Sequence, residues 1–305
     1  MAWFDRGIPK SKVAGKVLLI GNGPNRLSHG HSWRELLQAL QAFTGRDINF
    51  KKPFPLLYEE VMLLSASRKI PEAEIMRRVA EKVTEFEPTL IHQKLLATGA
   101  NHILTTNYDF SIQKAIDPNF NTFINEGIIR EARYSLFRKI NIDGYTVWPI
   151  HGSLNLPKTI MLGYDHYSGY LERMRAYVTS AAVYQNKSLK SLMARLNDGE
   201  KFVRSWLDLV FMRDVYILGL TLDFVEIHLW WLLTYWGRKK IERKFRFKNQ
   251  ITYFMPEFKG RLNEPQKAQK DLFDAIGVSV KLVQVPDNKS WETYYISCLD
   301  QISAG

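Results

Sequence analysis

Short, wholly apolar runs that end at a glycine or a polar turn alternate along this chain with segments whose apolar residues recur every three or four positions. Lys16–Ile20 (Lys-Val-Leu-Leu-Ile) runs into Gly21-Asn22-Gly23-Pro24, which reads as a buried strand entering a tight turn. In Ser32–Phe43, residues Trp33, Leu36, Leu37, Leu40 and Phe43 share one helical face, with Ser32 as N-cap and Glu35 three residues on. The spacing predicts further helices over Leu56–Ser67, over Glu72–Phe86 after Pro71, and over Thr89–Ala97 up to Gly99. His102–Thr106, Tyr145–Ile150, Val215–Leu218, Ile251–Met255 and Val278–Val285 read as strands, with shorter ones over Thr122–Asn125 and Lys158–Leu162. Tyr167–Phe211 is mostly helical in character, interrupted near Asn186 and at Asn197-Asp198-Gly199; Ile227–Trp236 reads as a buried helix and Glu264–Ile276 as one that ends at Gly277.

Strands alternating with helices predict an α/β fold, a Rossmann-like parallel sheet with helices on both faces. There is no internal repeat, low-complexity tract or evident linker, so residues 1–305 are expected to form one domain, with helical insertions at about 45–98 and 163–212.

Composition narrows this picture. Of 305 residues, 46% are hydrophobic and 13% aromatic, which is ample for a core and unlike a disordered chain. The single cysteine, Cys298, excludes a disulfide within the chain and a zinc cluster built on several thiolates. With no signal peptide at the start, a reducing cytoplasm is the expected location. The longest apolar stretch, Val215–Trp236, contains Asp223, Glu226 and His228, so it is not expected to span a membrane. The net charge of +11 favours polyanions such as nucleotides, nucleic acid or acidic protein surfaces.

The candidate chemistry sits where strands end, which is where an open α/β sheet places its ligand. Gly21-Asn22-Gly23 lies between a strand and a helix and can let a diphosphate approach; it can equally be a plain tight turn, since the dinucleotide fingerprint wants glycine at position 26 and finds Arg26. Asn107 and Asp109 follow the second strand and can hold ribose hydroxyls or a water, or simply close the turn through their own backbone. His151 follows the Tyr145–Ile150 strand and suits proton abstraction near neutral pH, or a structural role. Gly219–Asp223 is a third strand end, a dinucleotide cradle or a helix start capped by Thr221 or Asp223. His29 and His31 lack a third ligand, and no metal site is expected. Arg238–Lys248 holds seven Lys or Arg in eleven positions, a solvated basic face or a contact for nucleic acid or an acidic partner. Trp230, Trp231 and Trp236 suit a core or an oligomer contact.

Taken in order, these segments resemble the sirtuin-like NAD-binding fold. Gly21-Asn22-Gly23 is similar to its first phosphate turn, Thr105-Thr106-Asn107-Tyr108-Asp109 to its Thr-Gln-Asn-x-Asp motif, His151-Gly152-Ser153 to its His-Gly motif, and Gly219-Leu220-Thr221-Leu222 to its Gly-Thr-Ser-Leu element. Two departures stand out. The stretch after His151-Gly152 has no cysteines where sirtuin deacylases carry a four-cysteine zinc module, and Pro24–Gly30 replaces their Ser-Gly-Ile-Pro-Asp-Phe-Arg. The resemblance is therefore to the bacterial antiphage branch of sirtuin-like NAD hydrolases. It implies cleavage of the nicotinamide–ribose bond, with NAD as substrate and no metal. It also implies Asn107, His151 and Asp109 as catalytic residues, and Gly21, Asn22, Gly23, Thr106, Gly219, Thr221 and Asp223 around the nucleotide. Such proteins work as homo-oligomers or with a HerA-like ATPase or short Argonaute, so an effector triggered by assembly is expected, with nucleic acid involved only indirectly. The competing readings are an NAD-sensing or nucleic-acid-binding subunit without activity, and a protein deacylase.

Overall fold

The computed structural model describes residues 15–29, 33–83, 86–129, 132–184, 187–242, 248–288 and 290–304. The chain opens with β1 (Lys16–Ile20), α1 (Arg26–His29), α2 (Trp33–Thr44), α3 (Phe54–Ser67), α4 (Glu72–Val83), α5 (Leu90–Leu96), β2 (His102–Thr105) and α6 (Ser111–Ile116). It continues through β3 (Ile140–Ile142), β4 (Tyr145–Pro149), α7 (Tyr164–Thr179), β5 (Ala182–Tyr184), β6 (Lys187–Leu189), α8 (Leu192–Asn197) and α9 (Trp206–Met212). It closes with β7 (Asp214–Leu218), α10 (Ile227–Ile241), β8 (Ile251–Phe258), α11 (Glu264–Ile276), β9 (Ser279–Val285) and α12 (Trp291–Ala304).

Seven strands form one sheet in the order β3-β4-β2-β1-β7-β8-β9, and every neighbouring pair is parallel except β3 with β4. The central strands are apolar on both faces because both faces are covered. Val17, Leu19, Leu104, Trp148 and Ile217 point into a core shared with α7, α9, α10 and α11. Their chain neighbours Leu18, Ile20, Ile103, Val147 and Leu218 point into a second core, under α5, α6 and α12. This is the expected Rossmann-like arrangement. A third, smaller core joins α2, α3 and α4 and reaches back to Tyr108, Ile160 and Leu162.

Four local expectations are corrected. Thr122–Asn125 is not a strand; the edge strand is Ile140–Ile142, laid antiparallel on β4. Lys158–Leu162 is not a strand either: Pro157–Thr159 turn as a single 3₁₀ segment, and Ile160, Met161 and Leu162 are buried between cores. The 163–212 segment holds a β-hairpin, β5 with β6, among its helices. The C-terminal residues, to which no element was assigned, form α12. Among the described residues no helix is long and apolar enough to cross a membrane; Val215–Trp236 is divided between β7 and α10. Residues 243–247 of the basic stretch and His31 lie outside the described residues.

The order of strands creates a switch point. From β1 the chain steps to β2 and β4 on one side, then returns to the other side for β7, β8 and β9. The loops leaving β1 and β7 therefore diverge at their carboxyl ends, and the crevice between them is where such a sheet accepts a ligand.

Candidate active site

Four strand ends build the site. After β1 the chain turns through Gly21 and Gly23, whose N–H groups donate to the carbonyls of Leu218 (3.1 Å) and Gly219 (2.8 Å) at the end of β7. The two turns are so close that a Cβ on Gly21 would lie 2.3 Å from the Gly219 carbonyl oxygen, so position 21 admits only glycine. The Gly219–Asp223 turn is itself clamped. Tyr253 of β8 donates its hydroxyl to Leu220 O (2.8 Å), and Gln269 of α11 donates to the carbonyls of Thr221 and Leu222 (2.9 Å each). Leu222 adopts φ 50°, a left-handed conformation uncommon for a bulky residue, with its side chain locked in the core.

On the other side, β2 and β4 are paired with Thr105 opposite Pro149. Asn107 and His151 each lie two residues beyond that pair, so the register brings their two turns to the same edge of the sheet. The Asn107 side chain is buried and donates to Gly21 O (3.2 Å), while its Oδ1 has no partner among the described residues. His151 is buried at the floor of the crevice, and Gly152 after it takes φ 115°. That turn also needs glycine, because a Cβ there would meet Thr159 O at 2.4 Å. Burial, and secondarily the charge of Arg138, pulls the His151 imidazole down to about 3, so it is neutral at physiological pH.

Asp109 faces elsewhere. It accepts from Asn25 Nδ2 (2.5 Å) and from the Ser111 N–H (2.8 Å). Asn25 Oδ1 in turn meets His92 Nε2 (2.9 Å), and the Thr89 N–H donates to His92 Nδ1 (3.0 Å). The chain of bonds fixes the His92 tautomer with its hydrogen on Nε2. It pins the turn after β1 to the turn after β2. Burial pushes the Asp109 carboxyl upward, against the hydrogen bonds from Ser111 and Asn25.

Between these walls lies a cavity of about 490 Å³, within the range of roughly 300–1,000 Å³ usual for small-molecule sites. Of the residues singled out in the sequence, Asn22, Gly23, Thr106, His151, Gly219, Thr221 and Asp223 line it, whereas Gly21, Asn107 and Asp109 lie behind the lining. Thr106 is held there by its N–H to Ile20 O (3.1 Å). Arg26, the residue in place of the third glycine, lines it too. The outer wall is aromatic, from Tyr253, Trp291, Tyr294 and Tyr295.

Sequence reasoning did not assign Glu226, His228 or Tyr167 to the site. Glu226 lines the cavity, half-buried; the loss of hydration, then the nearby charge of Asp223, pushes its carboxyl up to about 8. His228 lies behind His151, with the two Nε2 atoms 2.8 Å apart. Their trace in the sequence was an acidic residue and a histidine inside the longest apolar stretch, where an ionisable group has to be held by a specific environment. Tyr167 comes from α7 and left no local trace.

Residues 101–201 match the SIR2-like domain family. The chain is also 27% identical over 186 residues, 58% of its length, to a protein described as NAD(+) hydrolase ThsA from Acinetobacter baumannii (strain 532279). The matched part is 35% of that relative's length. The family match covers β2, β4 and the turns bearing Asn107 and His151, the side of the crevice where the resemblance put its catalytic residues.

Proposed function

Taking the SIR2-like match as premise, we propose that this chain is an NAD⁺ hydrolase that cuts the nicotinamide–ribose bond. The observation that carries the reading is the position of His151: it lines a nucleotide-sized crevice at the switch point of the sheet, two residues past the strand pair that also sets Asn107. The turns at Gly21–Gly23 and Gly219–Asp223 would hold the diphosphate and the adenosine side, with Thr106 beside them and Arg26 supplying a charge-assisted contact.

The chemistry asks little acid catalysis of the protein. Nicotinamide in NAD⁺ is a cation joined to ribose through its ring nitrogen; when that C–N bond breaks, the electron pair goes to nitrogen and nicotinamide leaves neutral. An oxocarbenium-like ribose remains, water adds to its anomeric carbon, and the released proton needs an acceptor. Asn107, behind the lining with an unpartnered Oδ1, would orient that water and, through it, the ribose. His151, held neutral by burial, would take the proton, and the negative diphosphate nearby would raise its affinity for it. Asp109 would act as a positioning residue, through Asn25, on the turn that meets the substrate.

An enzyme that drains NAD harms the cell carrying it, so we further propose low basal activity raised by assembly, into a homo-oligomer or with an ATPase or Argonaute partner. The deciding experiment is to incubate the protein with NAD⁺, alone and with candidate partners, and identify products by chromatography. Equal amounts of nicotinamide and ADP-ribose are expected. Binding of NAD⁺ without nicotinamide release under any condition would overturn the reading in favour of a sensing subunit, and loss of acyl groups from acylated peptides would favour a deacylase.

A further inference from the structure

His151 does not stand alone. His228 of α10 places its Nε2 2.8 Å from His151 Nε2, and both rings are buried. At this separation one nitrogen carries hydrogen and the other offers a lone pair. Tyrosines enclose the couple. Tyr167 stacks on His228, with centroids 4.9 Å apart and planes at 12°, and Tyr170 makes T-shaped contacts with both imidazoles. His151 lines the cavity and His228 does not. The Nδ1 of His228 is buried without a partner among the described residues.

This geometry restricts how His151 can act. Its Nε2 is occupied by His228, so Nδ1 is the nitrogen left for a substrate. Nδ1 is a base only in the tautomer that carries its hydrogen on Nε2, the one that donates to His228. We propose that His228 is a positioning residue that selects this tautomer of His151 and accepts its Nε2 hydrogen when Nδ1 takes a proton from the attacking water. The inference rests on the hydrolase reading above. In balance, the water O–H bond breaks as oxygen bonds to the anomeric carbon, and the proton goes to His151 Nδ1. The Nε2 hydrogen of His151 then crosses to His228 Nε2. The positive charge so moves transiently one ring deeper, onto the face of Tyr167, whose π-system offsets part of the cost that burial sets on a charged His228. The reverse transfer, with loss of the Nδ1 proton to solvent through the cavity, restores the starting pair. Burial of both rings keeps that starting pair neutral.

His228→Phe keeps an aromatic ring against Tyr167 and removes the acceptor. It is expected to lower kcat for nicotinamide release about 100-fold, with KM for NAD⁺ within about twofold, since ground-state binding is untouched. His228→Gln restores an acceptor oxygen for the Nε2 hydrogen but cannot carry the proton onward, so it should recover roughly a tenth of the wild-type rate. Nitrogen-15 spectra of the histidine rings, which need no turnover, should show His151 with hydrogen on Nε2 in wild type and on Nδ1 in His228→Phe. Wild-type kcat in a folded His228→Phe variant, or a wild-type spectrum with the His151 hydrogen on Nδ1, overturns the proposal. A wild-type protein that never releases nicotinamide overturns the hydrolase reading instead, and the spectra then uphold or overturn the tautomer separately.

Discussion

Two groups of buried polar side chains sit a few residues apart at the carboxyl edge of the sheet, and they are finished differently. In the first, the Thr89 N–H, His92, Asn25, the Asp109 carboxyl and the Ser111 N–H pass hydrogen bonds in one series of 2.5–3.0 Å contacts, with only the Ser111 hydroxyl, at its end, without a partner among the described residues. In the second, Asn107 and the His151–His228 couple are also buried, yet Asn107 Oδ1 and His228 Nδ1 have no partner among the described residues. A buried polar atom without a partner costs on the order of 1–3 kcal/mol. A fold tolerates that where the atom serves something besides the fold. The first group links two turns and holds them in register; the second includes His151, which lines the crevice, and is the one read as chemistry.

That contrast can be broken by swapping the consequences. The largest effect is expected for Asn107→Ala and His151→Ala. Each should slow nicotinamide release by about 10²–10⁴ in protein that still folds, a loss of rate far beyond what its lowered melting temperature accounts for; a large fall in melting temperature with activity retained would reverse the assignment. Asp109→Ala should do the opposite in kind. It strips the acceptor from Asn25 and should cost about 2 kcal/mol, read as a lower urea midpoint. Its loss of rate should be smaller than that of Asn107→Ala in folded protein. Next, Arg26→Gln should raise KM for NAD⁺ several-fold with kcat held, and the difference should shrink as salt is added.

The smallest effect concerns Glu226. Its carboxyl is raised to about 8 from an ordinary 4.5, so between those values the folded chain keeps a proton that the unfolded chain releases. Stability tied to this residue is thus complete below pH about 4.5 and declines as pH climbs through 8. Glu226→Gln should flatten that decline, and melting curves at pH 6 and pH 8.5 measure it. An unchanged slope would mean that the Glu226 carboxyl titrates in the folded chain at its ordinary value.

Much of this architecture is legible in the residue pattern because central parallel strands are apolar on both faces and end abruptly in turns. Lys16–Ile20, His102–Thr105 and Tyr145–Pro149 announce themselves in that way, and with them the turns bearing Asn107 and His151. Edge elements do not. Ile140–Ile142 is three residues of strand, and Ala182–Tyr184 with Lys187–Leu189 form a small separate hairpin, too short for a period to register. The C-terminal helix is a different case: Tyr294, Tyr295, Cys298, Leu299 and Ile302 do recur at helical spacing and are all buried, so the pattern was present. What no local pattern contains is the packing of α10 against both α7 and the turn after β4. The first contact brings Tyr167 over His228, and the second sets His228 against His151 as a couple.

The contact between Gly21 and Gly219 has a mechanical meaning. Where the two central strands finish, backbone abuts backbone, with no rotatable group to yield. A methyl placed there would have to be accommodated by separating the strand tips themselves, and the mouth of the crevice would widen with them. The separation of these two strand tips is set by main-chain atoms, and is a property of the sheet rather than of any side chain nearby.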